Sequence, residues 1–125
     1  MNRPTYKELN NKLSQAKKAV EEGHVNLINP DVIAADALEL GYSINDEFAD
    51  SLTAVLEQTS PKQYVGKRPP ALSYENIIMA NALYAFRTNS DSLNCYVYLK
   101  FTLFDNELWV VSFHKNRSSN KGQRV

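Results

Sequence analysis

The sequence predicts an α+β fold in which N-terminal helices pack on a small antiparallel sheet, and two patterns carry that prediction. Through the first half, apolar side chains recur every three or four positions, which is the spacing of one face of an amphipathic helix. Between residues 83 and 115, apolar and polar side chains alternate, as they do in strands with one buried face. We expect the apolar face of these strands to pack on the helices.

The chain is 125 residues long, which is the size of one domain. We expect residues 1–115 to form that domain and the polar, basic tail 116–125 to be disordered. Because Cys95 is the sole cysteine, no internal disulfide can form, which fits a reducing compartment. No apolar stretch approaches the ~20 residues that cross a bilayer, and the N-terminus lacks the apolar run of a signal peptide. The sequence therefore predicts a cytoplasmic protein without a membrane partner.

Three helices and a short strand are predicted in the acidic first half. A glycine follows each of the first two helices, where helices commonly end, and a proline is tolerated at a first helical position. The predicted elements are a helix Thr5–Glu22 before Gly23, a strand His24–Ile28, a helix capped by Asn29 that begins at Pro30 and stops at Gly41, and a helix capped by Asn45 or Asp46. The side chains of the second helix that are expected to point inward are Val32, Ile33, Ala37 and Leu40.

The second half is predicted to form strands after a basic connection. The predicted elements are a Pro/Gly-containing loop over 60–70, a short helix from Ser73 to Ala82, a strand over 83–88, a turn over 89–92 and a hairpin over 95–115.

The register of the hairpin decides which side chains share a face. A two-residue turn at 105–106 would pair Tyr98 with Phe113 and would mix polar and apolar side chains on both faces. A three-residue turn at 105–107 pairs Tyr98 with His114 instead and leaves one face wholly apolar. We favour the second register. Its predicted inner face consists of Leu99, Phe101, Leu103, Trp109, Val111 and Phe113.

Charge is distributed unevenly along a chain whose net charge is zero. Residues 1–60 carry five Lys/Arg against ten Asp/Glu, and residues 61–125 carry nine against four. A basic second half suggests an anionic partner such as phosphate, although the two halves could also simply neutralise each other. Within the 60–70 loop, Tyr64, Lys67 and Arg68 suit base and phosphate contacts, and a solvated connector is the alternative interpretation.

The favoured register places Tyr98, Lys100 and His114 together on the outer face of the hairpin, with Arg87 on the neighbouring strand beside them. A histidine can both accept and donate a proton near neutral pH, although a lone histidine near a strand end is more often a bystander. No metal or other cofactor is expected, because His24 and His114 are isolated and no Asp/Glu/His group has ligand spacing.

Three stretches carry a resemblance to a known family: L-S-Q-A-K-K-A-V over 13–20, E-L-G over 39–41, and V-Y-L-K-F-T to L-W-V-V-S-F over 97–113. They resemble the motility quorum-sensing regulator family of bacterial mRNA-cleaving toxins, which have the RelE-type toxin fold. The middle region 59–82 departs from the family pattern, and the hairpin turn is one residue longer. The resemblance implies a RelE-like α+β domain, metal-independent RNA cleavage and neutralisation by an antitoxin.

The resemblance also implies roles for individual residues. The family tyrosine of the V-Y-L-K strand falls on Tyr98, and its loop lysine falls on Lys67. The basic residue directly after S-F, which is usually lysine, is His114 in this chain. The expected catalytic set is therefore His114, Tyr98 and Lys67.

The function predicted from these features is that of a toxin-like endoribonuclease, an mRNA interferase of a toxin–antitoxin pair. The ribose 2′-hydroxyl would attack the adjacent phosphate with general acid–base help, and no cofactor would take part. RNA and a cognate antitoxin are the expected partners. The alternative is a non-catalytic nucleic-acid- or protein-binding module on the same fold. The expected substrate-binding residues are Tyr64, Arg68, Arg87, Lys100 and Lys115.

Overall fold

A computed structural model describes residues 5–43 and 47–116, and over these ranges it shows three α-helices and a four-stranded mixed sheet. The predicted α+β class is confirmed. The elements are α1 Tyr6–Glu21, β1 Val25–Leu27, α2 Pro30–Leu40, α3 Phe48–Gln58, β2 Tyr84–Ser90, β3 Cys95–Phe104 and β4 Glu107–Lys115, with 3-10 helices at Pro61–Gln63 and Asn76–Ile78.

Helix α1 begins and ends where its sequence predicts. The Thr5 side chain accepts from the Glu8 backbone N–H, and the Glu8 carboxylate accepts from the Thr5 N–H, which together form a capping box. After the helix, Gly23 has a φ of 78°, a left-handed conformation that glycine adopts without strain. The helix buries one stripe at helical spacing: Leu9, Leu13, Ala16, Ala19 and Val20.

Helix α2 has the predicted bounds but differs in two details. It begins at Pro30 and is closed by Gly41 in the left-handed conformation, while the predicted cap Asn29 makes no side-chain cap hydrogen bond. The inward position predicted for Val32 is wrong, since this side chain is 58% exposed. The buried stripe of α2 consists of Ile33, Ala37 and Leu40, and Val32 is one residue, or about 100°, away from it.

Helix α3 buries Leu52, Val55 and Leu56. Its predicted caps, Asn45 and Asp46, lie outside the described residues, as does the predicted tail beyond Asn116.

The sheet has the strand order β1-β4-β3-β2. Strands β2, β3 and β4 are antiparallel, as predicted, but β1 runs parallel to β4. The prediction of a wholly antiparallel sheet was therefore wrong for one strand. Strand β1 pairs with β4 along the edge that β3 leaves free.

The β3–β4 turn contains two residues, so the predicted three-residue turn was wrong. Asp105 and Asn106 have φ values of 56° and 61°, the pair of left-handed conformations that define a type I′ hairpin turn. Aspartate and asparagine tolerate that conformation better than most residues. Even so, Tyr98 pairs with His114, as the predicted register required.

A β-bulge in β4 reconciles the short turn with that pairing. Phe101 pairs with Val110 and Lys100 with Ser112, which leaves Val111 as an extra residue. The alternation of inward and outward side chains along β4 is therefore interrupted at Val111. Each side chain after Val111 faces the side of the sheet opposite to the one it would face in a regular strand.

The bulge determines which β4 side chains are buried. Leu108, Val110 and Phe113 all point to the helix-packed face. Trp109 and Val111 were predicted to point there too, and that prediction was wrong: Trp109 pairs with Thr102 on the other face, Val111 is the extra residue of the bulge, and neither half-buried side chain belongs to the core. The core of the sheet combines these β4 residues with Phe86, Val97, Leu99 and Phe101.

The segment between α3 and β2 is a folded loop, and the helix predicted from Ser73 to Ala82 is reduced to one 3-10 turn. The Ser73 N–H donates to the Asn81 carbonyl, and the Leu83 N–H donates to the Ala71 carbonyl, so the backbone closes as a hairpin-like loop. Fully buried Ile78 anchors this loop outside the helix-packed core.

Deleting one of the two adjacent valines 110 and 111 should leave the fold intact. The shortened strand L-W-V-S-F-H-K alternates regularly, so its leucine, valine and phenylalanine still face the core and the pairing of Tyr98 with His114 survives. Chemical unfolding followed by circular dichroism should show a loss of no more than about 2 kcal/mol, the scale of one partly buried side chain.

Deletion of Thr102 from β3 provides the matched control. That strand has no spare residue, so the deletion should turn half of the hairpin over and abolish cooperative unfolding. If the two deletions destabilised the protein equally, the extra residue in β4 would not be the element that sets the register.

Tyr42→Phe should reduce the loss of stability at alkaline pH. The Tyr42 hydroxyl is buried and finds no hydrogen-bond partner among the described residues. Burial, with Asp36 as the second cause, raises the pKa of this phenol, while in the unfolded chain it ionises near its ordinary pKa of about 10. The stability that depends on the neutral phenol is therefore present below pH 10 and is lost as pH rises above it.

Urea unfolding at neutral and high pH tests this prediction. At neutral pH the phenylalanine variant should be at least as stable as the parent, because an unsatisfied buried hydroxyl is removed. Above pH 10 the parent should lose stability faster than the variant. Parallel curves for the two proteins would contradict the prediction.

Candidate active site on the outer sheet face

The side of the sheet opposite the helices, called here the outer face, carries a row of three candidate residues. Tyr98 is paired with His114 on β4 and with Arg87 on β2, so the three lie side by side across the sheet. The rings of Tyr98 and His114 stack with their centroids 5.2 Å apart and their planes 24° apart. The sequence-predicted pairing of Tyr98 with His114 is thus present, and Arg87 does lie beside them.

One hydrogen bond sets the orientation of the His114 ring. Its Nδ1 lies 2.8 Å from the Lys115 carbonyl oxygen. A carbonyl can only accept, so Nδ1 carries the proton in the neutral ring and Nε2 keeps its lone pair. His114 is therefore arranged to accept a proton through Nε2.

Tyr98 is a neutral hydrogen-bond donor at ordinary pH. Its side chain is half-buried, and burial raises the pKa of its phenol above the ordinary value of about 10. The raised pKa keeps the hydroxyl protonated well into the alkaline range. Beside His114, the pair combines a proton acceptor with a proton donor.

The cations predicted to bind substrate divide into groups. Lys100 lies one row from Tyr98 on the same face, opposite Ser112, and Arg87 is exposed in the Tyr98 row. Lys115 pairs with Val97, whose side chain is buried in the core, so Lys115 leaves β4 on the opposite face from His114. The structure does not bring Lys115 to the outer-face cluster.

Tyr64 has a different position from the one predicted for it. It is 4% exposed, its ring packs edge-on against Phe86 at 5.5 Å, and its hydroxyl donates to the Lys67 carbonyl at 2.5 Å. A Cβ at Gly66 would lie 2.7 Å from the Tyr64 hydroxyl oxygen, so glycine is required there. Tyr64 is a buried anchor of the loop, and its ring is not accessible for stacking on a base.

The loop that Tyr64 anchors presents two cations beside β2. Tyr64 pairs with Phe86 across an isolated bridge, and the Arg68 guanidinium lies 4.8 Å above the Tyr64 ring. Lys67 and Arg68 are both exposed. Burial raises the pKa of the Tyr64 phenol, Arg68 lowers it, and Tyr84 and Tyr98 raise it further. The two exposed cations therefore lie next to a buried, neutral Tyr64 ring.

Lys67 is nevertheless separated from His114. The sheet places β3 and β2 between β4 and the Tyr64 bridge. With about 4.8 Å between neighbouring strands, the loop lies roughly 14 Å from β4. The structure therefore groups His114, Tyr98, Arg87 and Lys100 on one surface and sets Lys67 and Arg68 at its β2 edge.

A cleft of about 600 Å³ lies at the other end of the β3–β4 hairpin. In it, the His24 Nδ1 lies 3.7 Å from a Glu22 carboxylate oxygen. No sequence signal marks this cleft, because it arises where the end of α1 meets the hairpin turn. Its lining residues are Gln15, Lys18, Ala19, Glu22, His24, Leu103, Phe104, Asp105 and Asn106.

Two absences within residues 5–43 and 47–116 bear on the site. In those ranges no group of three or more His, Cys, Asp or Glu side chains is arranged to hold a metal ion. Nor does any helix there have the length and apolar character needed to cross a membrane.

Neither a known protein-family model nor a curated protein sequence matches the chain. The resemblance to the mRNA-cleaving toxin family therefore stays a prediction that rests on the motifs of this chain, and the geometry of the outer face is the remaining evidence on function.

The protonation of His114 can be measured directly. In ¹⁵N NMR spectra of the neutral ring, Nδ1 should carry the proton and Nε2 should be the unprotonated nitrogen, because the Lys115 carbonyl holds the Nδ1–H. Tyr98→Phe preserves the ring stack and should leave this tautomer unchanged. A dominant Nε2–H form in the parent would contradict the assignment of Nε2 as a proton acceptor.

Proposed function

We propose that this chain is a toxin-like, metal-independent endoribonuclease with a RelE-like fold, acting on RNA bound across the outer face. The observation that carries the proposal is the His114 ring, stacked on Tyr98 and held by the Lys115 carbonyl so that Nε2 is free to accept a proton. The motif resemblance over 97–113 supports the reaction type and the expectation of a cognate antitoxin.

The reaction can be written from the outer-face residues. His114 Nε2 accepts the proton of a ribose 2′-hydroxyl as its oxygen attacks the adjacent phosphorus. The bond from phosphorus to the 5′-oxygen then breaks, which leaves a 2′,3′-cyclic phosphate. The protonated His114 or the neutral Tyr98 phenol returns a proton to the departing 5′-oxygen. The products are a cyclic phosphate end and a 5′-hydroxyl end.

The cations nearest His114 and Tyr98 stabilise the negative charge that develops on the phosphate during the reaction. Arg87 lies in the Tyr98 row, and Lys100 lies one row away, so both can face a phosphate held against Tyr98. Donors aimed at charge that develops in the transition state often make the largest single catalytic contribution.

The loop cations take a different role in this proposal. At roughly 14 Å from β4, Lys67 and Arg68 suit phosphates further along a single RNA strand better than the phosphate at His114. Lys67 is accordingly proposed as a substrate-binding residue. The buried Tyr64 hydroxyl donates a hydrogen bond to the Lys67 carbonyl and so holds the backbone of Lys67 in place.

A second candidate function is a non-catalytic binding module, and one surface favours it. The 71–83 loop exposes four large apolar side chains, and exposed apolar clusters commonly mark protein-binding sites. These side chains are Leu72, Tyr74, Ile77 and Met79. This candidate predicts binding of a partner without any cleavage of RNA.

His114→Asn should reduce RNA cleavage by about 10²- to 10⁴-fold, the usual contribution of a general acid–base group. Asparagine can still donate to the Lys115 carbonyl but has no atom in place of Nε2. The measurement is single-turnover cleavage of a mixed RNA in the presence of EDTA, with the cut ends mapped for cyclic phosphate and 5′-hydroxyl.

His24→Asn is the matched control, since His24 is the other histidine of the chain and lies in the cleft at the far end of the hairpin. This control should cleave at the parent rate. A parent protein that cuts no RNA, or an H114N variant as fast as H24N, would overturn the nuclease proposal.

A further inference from the structure

A second tyrosine stands on the outer face beside the Tyr98 row. Tyr96 is two residues before Tyr98 in β3, pairs with Asn89 on β2 and is 54% exposed. The Asn116 N–H donates to the Tyr96 carbonyl at 2.9 Å, so the backbone pairing continues through this position. Tyr96 therefore presents an accessible ring from a regular strand.

The spacing between Tyr96 and Tyr98 suits successive nucleotides. Side chains two residues apart on a strand share a face and lie about 6.7 Å from each other. RNA-binding sheets exploit this arrangement by stacking consecutive, unstacked bases on aromatic side chains of neighbouring rows. An RNA phosphate held at the Tyr98 row would place a neighbouring base over Tyr96.

One exposed cation lies beside Tyr96 and can contact an RNA phosphate. Exposed Arg87 lies in the adjacent row on β2. The carboxylate of Asp91, which directly follows β2, accepts from the Gln58 amide at 3.0 Å. Glu107, at the far end of the hairpin, accepts a hydrogen bond from the side chain of Asn26, which lies in β1. Both carboxylates keep their negative charge, so the attraction for a polyanion at this position comes from the exposed Arg87 guanidinium in the row next to Tyr96.

We propose that Tyr96 is a base-stacking subsite, which holds the base of the nucleotide next to the one whose 2′-hydroxyl faces His114. This inference rests on the proposed function in taking RNA as the ligand, and it adds a residue that positions the substrate. A tyrosine ring accepts any base, so Tyr96 contributes affinity and register along the RNA rather than strict sequence choice.

The first experiment uses a heptanucleotide that is 2′-O-methylated except at one central ribonucleotide, which fixes the position of cleavage. An abasic site replaces the base on its 5′ or its 3′ side. With the intact oligonucleotide, Tyr96→Ala should lower kcat/KM at least about fivefold, the lower end of the effect of losing one stacked base. With one of the two abasic substrates, parent and Tyr96→Ala should have the same kcat/KM.

Two variants serve as controls for the alanine substitution. Tyr96→Phe keeps the ring and should retain the parent rate. Tyr6→Ala removes a tyrosine of similar exposure, 56%, from the start of α1, and it should have no effect on either substrate. An equal loss in the Y96A and Y6A variants, or a Y96A loss that persists on both abasic substrates, overturns the subsite.

The second experiment separates this inference from the nuclease proposal. Binding of a fully 2′-O-methylated heptanucleotide, which cannot be cleaved through its 2′ position, is measured by fluorescence anisotropy for the parent, Y96A and Y6A. Weaker binding by Y96A alone supports the subsite even if the parent cuts no RNA. Equal binding by parent and Y96A overturns the subsite even if RNA is cut. A parent that binds no oligonucleotide overturns both proposals.

Discussion

The turn and the hydrophobic core each determine how β3 pairs with β4, and the registers that they require differ by one residue. The type I′ turn at Asp105 and Asn106 pairs Phe104 with Glu107, and this pair would set the register of a regular hairpin. The core requires Phe113 opposite Leu99, where its ring packs against Tyr42 and Phe48. A regular β4 cannot satisfy both, because a one-residue slip reverses every side chain. The extra residue at Val111 absorbs the difference.

The candidate chemistry depends on the same adjustment. Because the bulge at Val111 precedes Ser112, the Phe113 side chain points into the core and the His114 side chain lies beside Tyr98 on the outer face. The buried phenylalanine fixes the strand, and the Lys115 carbonyl then fixes the imidazole ring. Packing on one face of β4 therefore supplies the positional accuracy that proton transfer on the other face requires.

Patterns local in the chain were predictable, and features that depend on contacts between distant residues were not. Helical spacing and the glycines at 23 and 41 located α1 and α2 to within a residue. Alternation identified the two long strands. The Val110-Val111 pair hid the bulge, because either valine fits either face of a strand. The regular alternation assumed for β4 then placed Trp109 and Val111 in the core and required a turn that was one residue too long.

The predictions for the candidate site also divide into those that follow from a local pattern and those that depend on contacts between distant residues. The pairing of Tyr98 with His114 followed from the hydrophobic pattern of the hairpin, which the core enforces. The burial of Tyr64 did not follow, since it depends on a bridge to Phe86 and on the close approach of Gly66. The parallel pairing of β1 and the cleft at His24 likewise arise from how separate elements meet. Composition alone cannot distinguish an aromatic loop residue that faces a ligand from one that holds the loop down.

The edges of the sheet have a consequence for how this chain behaves in a crowded solution. An open strand edge is a template for pairing with another molecule, and proteins limit that hazard with short edge strands, charges and covering loops. Strand β1, at one edge, has three residues. At the other edge, the Val65 N–H donates to the Ala85 carbonyl at 2.9 Å, and the loop it belongs to lies along β2. Each border of the sheet therefore carries one feature that limits self-association into extended β-structure: a short strand beside Leu108–Val110 of β4, and a hydrogen-bonded loop beside β2.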